Sequence, residues 1–147
     1  MAQIHAVPSC VFEDVTRKLA SVDPREQRSA CGRLILTADA LHYVPGWEVH
    51  EHAHSRQRRL DAPDRVDTRG EGARLLAEVA SLTPAEQVRR IDGSVTVPVS
   101  DIESAGLSLL ASVLRVITER HGEVLDFIIE RRDRKQVQAW LAALPRR

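Results

Sequence analysis

Hydrophobic and polar positions between residues 95 and 144 follow two different periods. Leu114, Val116 and Thr118 fall on one side of a period-two pattern, Leu125, Phe127 and Ile129 on one side of the next, and His121-Gly122 lies between them. Glycine supplies the positive φ that a tight turn needs, so the pattern predicts a hairpin with Arg115, Asp126 and Glu130 facing water. The period then lengthens, with Val137, Trp140, Leu141 and Leu144 at i, i+3, i+4 and i+7. That spacing predicts an amphipathic helix, opened by Asp133 and Gln136 as a capping box, ended before Pro145 and burying Trp140.

Upstream, Val11, Val15, Leu19 and Val22 recur at helical spacing after Ser9, and Asp23-Pro24 can start one further turn. This predicts an N-terminal helical extension over residues 8–25. The texture then turns to short alternating runs: Leu34 and Leu36, a turn at Ala38-Asp39, Leu41 and Tyr43, a second turn at Pro45-Gly46, and a run from Trp47. Three short antiparallel strands are expected. Residues 55–70 are polar, carry Pro63 and Gly70 and have no period, which predicts a mobile loop. Leu75, Leu76, Val79 and Leu82 group on a helix over residues 73–82, and Thr83-Pro84-Ala85-Glu86 combines cap, N1 proline and N3 glutamate at the start of a second helix reaching about Ile91. Asp92-Gly93 turns the chain into a strand over residues 94–102, where Pro98 demands an edge or a bulge.

A chain of 147 residues suits one domain with a core large enough to fold without metal or disulfide staples, so no cofactor is called for. No apolar run approaches the ~20 residues that cross a bilayer, and the first residues lack the uninterrupted apolar stretch of a signal peptide. A cytoplasmic location is the expectation, with Cys10 and Cys31 as isolated thiols. The 21 basic and 21 acidic residues cancel, so bulk charge gives no argument for nucleic acid, and none is expected as a partner. Aromatic residues, at 3%, are too scarce for a base-stacking platform.

Three segments carry a resemblance to a known superfamily. Gly32-Arg-Leu-Ile-Leu-Thr-Ala-Asp-Ala-Leu-His-Tyr-Val-Pro45 is similar to an opening hairpin of the form Gly-x-Leu-x-Leu-Thr-x-x-x-Leu-x-Phe. Val97-Pro-Val-Ser-Asp-Ile102 resembles a central strand ending Pro-Leu-x-Asp-Ile, and the hairpin from Leu114 to Phe127 with the Trp140 helix resembles a last hairpin and a helix that plugs a barrel. Together they resemble pleckstrin-homology-like domains, in particular the bacterial and GRAM-type members. The resemblance implies an α+β, mainly β fold: an antiparallel barrel of two orthogonal sheets with a C-terminal capping helix. To it this chain adds the N-terminal helix and an insertion over residues 55–92, helical at about 71–91. Lipid-binding members gather Lys and Arg at the first strand turn. Here that turn is Thr37-Ala38-Asp39, with Arg33 the nearby cation, which disfavours inositol-phosphate recognition.

Two constellations remain. His50, His52 and His54 alternate on the expected third strand, a metal-ligand set by chemistry, yet an extended strand spreads them over ~13 Å, too far for one ion unless the strand bends. The competing reading is a solvated face that titrates near neutrality. Arg56, Arg58, Arg59, Arg89, Arg90, Arg131 and Arg132 can attract an anionic membrane or a partner if the fold gathers them, and are otherwise an ordinary charged face. No nucleophile elbow, phosphate loop or dinucleotide fingerprint is present, and Gly70-Glu-Gly72 alone is too weak to count. The expectation is a non-enzymatic module that binds a protein partner or its own copy through the insertion. Peripheral attachment to anionic membrane through the arginines is one alternative, and a metal-dependent activity at the histidines is the other.

Overall fold

A computed structural model describes residues 9–19, 26–52, 68–120 and 122–145. Seven strands run β1 (Cys10–Leu19), β2 (Glu26–Leu36), β3 (Ala40–His52), β4 (Val95–Pro98), β5 (Ile102–Ser108), β6 (Val113–Thr118) and β7 (Val124–Ile128). Helices α1 (Thr68–Val79) and α2 (Pro84–Arg90) stand between β3 and β4, and α3 (Arg134–Ala142) follows β7. All neighbours pair antiparallel, in the order β4-β3-β2-β1-β7-β6-β5. The outermost strands, β4 and β5, are joined by a single 3-10 turn, Val99–Asp101. Three residues span ~10 Å at most, so the sheet must curl until the end of β4 and the start of β5 lie close together. The class is α+β, dominated by an antiparallel sheet.

Curling gives the sheet an inside. Phe12, Val15, Leu34, Leu36, Leu41, Tyr43, Leu114, Val116, Leu125, Phe127 and Ile129 are all buried there in one continuous cluster. The expected hairpin of β6 and β7 forms, with Gly122 at φ +58° and the anticipated inward faces. Arg115 and Asp126 face outward as expected and form a two-pronged ion pair across the strands, at 2.8 and 3.1 Å. That pairing holds the Asp126 carboxyl below its usual range. Tyr43 packs tilted against Phe127 at 5.3 Å between centroids and donates its hydroxyl to the Val15 carbonyl at 2.7 Å. Burial drives that phenol's pKa far upward, so it stays a donor.

Helix α3 closes the interior. Val137 and Trp140 are fully buried, and Leu141 and Leu144 pack against the same cluster. The indole Nε1 donates to the Thr37 carbonyl at 2.8 Å. Thr37 is itself the organising residue of the β2–β3 turn, its Oγ1 accepting from the amides of Asp39 and Ala40. The Asp39 carbonyl in turn accepts from Val99 N at 2.7 Å. One turn thus holds both the closing helix and the link between the two sheet edges.

Several expectations fail for physical reasons. The N-terminal segment is a strand, not a helix. Its register slips between Phe12 and Val15, around Asp14 at φ +55°, so an extra residue turns inward spacing of two into the three that separates Phe12 from Val15. A bulge of this kind counterfeits helical spacing. The rest of the proposed extension, residues 20–25, lies outside the described residues, as do residues 55–67 of the expected loop, whose last three residues, 68–70, instead open α1. Pro45-Gly46 does not turn the chain either. The register jumps from Cys31↔Trp47 to Gly32↔Pro45, so Gly46 is accommodated as a bulge and two expected strands are one. The expected strand over 94–102 divides at Pro98 into β4, the 3-10 turn and the start of β5. Asp133 makes no capping hydrogen bond, because the 3-10 turn Arg131–Asp133 feeds α3 and leaves Asp133 helical at φ −95°, ψ −4°.

Helices α1 and α2 cover the outer face of β2 and β3 through Leu76, Ile35 and Val44, with Trp47, Val88 and Ile91 around them. Thr83 caps α2 as its sequence dictates, accepting from Glu86 N. Gly72 and Gly46 meet backbone to backbone, where a Cβ on Gly72 would overlap the Gly46 carbonyl. Gly72 therefore seats a helix on a strand. Truncating Trp140 to Ala is expected to cost about 3–5 kcal/mol in chemical denaturation. Trp140→Phe, which keeps most of the ring but orphans the Thr37 carbonyl, is expected to cost about 1–3 kcal/mol.

Candidate binding surfaces

A concavity of about 580 Å³ lies between the β4 edge and the β6–β7 turn. One wall is β4 with Ser100 and Asp101, and the other is the β6–β7 turn with Thr118, Glu119, Arg120 and Glu123. The turn is held closed by its own bonds, Thr118 N to Glu123 O at 2.9 Å and Glu123 N to Thr118 Oγ1 at 3.2 Å. It is also tied to the opposite wall, because Glu119 N and Arg120 N donate to the Asp101 carbonyl and carboxylate. Asp101, Glu119 and Glu123 line the groove beside Arg120, and Glu123 also meets the Arg17 guanidinium at 3.9 Å. Its β4 wall pairs with β3 on one side and ends the sheet on the other.

The outer side of that wall carries a cross-strand tie. His42, buried on β3, bonds through Nδ1 to Thr96 Oγ1 at 2.9 Å. Burial lowers the imidazole pKa, because the charged form loses its hydration.

The arginines expected to gather do not form one surface. Arg89 and Arg90 are exposed in the last turn of α2, on the layer outside β3 and β4. Arg131 and Arg132 are exposed in the 3-10 turn leading into α3, the helix that closes the inside. These pairs belong to different layers. Arg56, Arg58 and Arg59 lie outside the described residues. Arg33, the cation nearest the first turn, is buried beneath the insertion, its Nε on Glu13 at 2.6 Å and its Nη1 on Gln87 Oε1 at 2.7 Å and the Leu76 carbonyl at 3.1 Å. A guanidinium committed in this way is not available to an incoming phosphate.

His54 lies outside the described residues, and His50 and His52 take backbone register opposite Arg28 and Glu26 at the far end of β3. Among the described residues no group of three or more His, Cys, Asp or Glu side chains is placed to hold a metal ion. Burial pushes the Cys10 thiol up, away from thiolate chemistry. No helix among them is long and apolar enough to cross a membrane.

Two features escaped the sequence pattern. The groove joins residues far apart in the chain, and no local signal announces it. The β5–β6 turn exposes Leu109 and Leu110, the latter completely, in a stretch whose apolar residues followed no period. Compared with family models, curated proteins and solved structures, the chain has no match in any of the three.

The His42 pKa shift has a pH signature. A depressed imidazole pKa means the unfolded chain binds the proton more readily. His42 is therefore expected to leave stability intact above the ordinary imidazole range and to erode it as pH falls from that range through the folded-state value. Urea midpoints measured across this window should fall for the wild type and fall less for His42→Gln.

Proposed function

We propose that this chain is a pleckstrin-homology-like, non-catalytic binding module that takes an extended segment of a protein partner along the β4 edge. The fold part of this reading is supported by the strand order, in which one short link joins the two outermost strands, and by a C-terminal helix whose tryptophan stoppers the interior. The observation that carries the binding part is the groove itself. A strand at the end of a sheet offers unpaired backbone donors and acceptors, and an extended peptide can add to it as one more strand. Asp101, Glu119 and Glu123 favour a segment of basic character.

This reading moves the contact surface away from the insertion. The helices α1 and α2 bury Leu76 and Val79 and lock onto Arg33, so their apolar side is already used. A rigid wall with a fixed turn opposite suits recognition better.

The test is fluorescence anisotropy with a labelled octapeptide of alternating lysine and valine, and an alternating glutamate-valine control. Binding of the lysine peptide alone, weakened about tenfold or more by Glu119→Lys with Glu123→Lys, is the expected result. Equal binding of both peptides, no binding, or indifference to the double substitution would overturn the reading. Light scattering on the same samples tests a second copy as occupant.

A further inference from the structure

We infer that the β5–β6 turn is a membrane-docking tip, in which Leu109 and Leu110 enter the interface of an anionic bilayer while arginines at its base meet the headgroups. The turn over residues 109–112 projects from the end of a hairpin, with Leu109 at 56% and Leu110 at 101% exposure. Leu110 is as open to water as in an unfolded chain, and no packing accounts for it. The apolar surface continues onto the neighbouring strand, because Ile128, 40% exposed at the end of β7, pairs in register with the half-buried Val113 directly below the turn.

The base of the turn is basic. Ile129 N donates to the Ser112 carbonyl at 2.7 Å, which fixes the start of the following 3-10 turn against the tip. Arg134 then reaches Ser112 Oγ with Nε at 2.9 Å and with a second guanidinium nitrogen. In a 3-10 turn, residues three apart lie one above the other, so Arg131 stands on the same side as Arg134. Arg132 is exposed beside them and pairs with Glu130 at 2.8 Å. From Glu130 to Lys135, four basic side chains oppose two acidic ones.

The shape and the charge together select the occupant. A narrow convex tip buries little area against another folded surface, whereas lipid closes around it on every side. Arginine stems then lie along the apolar boundary with their heads among phosphates. This site is separate from the acidic groove, so Glu119→Lys with Glu123→Lys is expected to leave it working, and failure of either proposal can be told from failure of the other.

The experiment is sedimentation of the full chain with phosphatidylcholine vesicles, with and without roughly one-fifth phosphatidylserine. Salt-sensitive binding to the anionic vesicles alone is expected. Leu109→Ser with Leu110→Ser should weaken it about tenfold or more, and Arg131→Gln about fivefold. These side chains are exposed, so thermal melts should match the wild type, and Leu110→Trp should blue-shift its emission on anionic vesicles. The proposal is overturned if the wild type stays in the supernatant or if the serine variant sediments equally. It is equally overturned if the tip substitutions abolish a dimer while vesicle binding is absent, which would assign the tip to a second copy.

Discussion

The bond from the Trp140 indole to the Thr37 carbonyl seats the closing helix over a sheet that its short β4–β5 link has already curled. An open sheet of this sequence would leave one face of Leu34, Leu41, Leu114 and Phe127 in water, and the helix that covers them is only nine residues long. So short a helix has little stability alone, and its order comes from the face it buries. The indole supplies both area and direction. Its large ring fills the interior, and its one polar atom can be satisfied at a single place, the turn that also receives Val99. Packing and hydrogen bonding therefore specify the same arrangement.

The outer layer follows a second rule. Arg33 sits where a sheet face would otherwise meet water, and its fork is divided among β1, α1 and the side chain of Gln87. Gln87 completes the set by donating to the Leu82 carbonyl at 3.0 Å. A buried charge persists only when its donors are met, so the insertion is fixed in place by polar satisfaction as much as by Leu76 and Val44. With its cation used internally, the mouth of the first hairpin presents Asp39 outward.

Much of the fold was legible because alternation survives wherever strands are regular. Leu114, Val116, Leu125 and Phe127 announced their hairpin, Thr83 and Pro84 announced α2, and the spacing of Val137 and Trp140 announced the closing helix. Legibility failed at irregularities. The bulge at Asp14 disguised β1 as a helix, the bulge at Gly46 made one strand look like two, and the small residues Ser104, Ala105 and Gly106 hid β5. The groove was illegible for another reason. Thr96 and Glu123 become neighbours only after the sheet has curled, and curvature has no local signature. Leu109 and Leu110 were visible as letters but carried no period, and an apolar pair gains meaning only when every neighbour is seen to leave it bare.

The hydrogen bond that seats the closing helix joins positions 103 residues apart. Every residue from 37 to 140 must be made before the Trp140 indole can reach the Thr37 carbonyl. Until then the long first hairpin has an oily inner side and no lid. Such late closure makes folding slow and the nascent chain sticky.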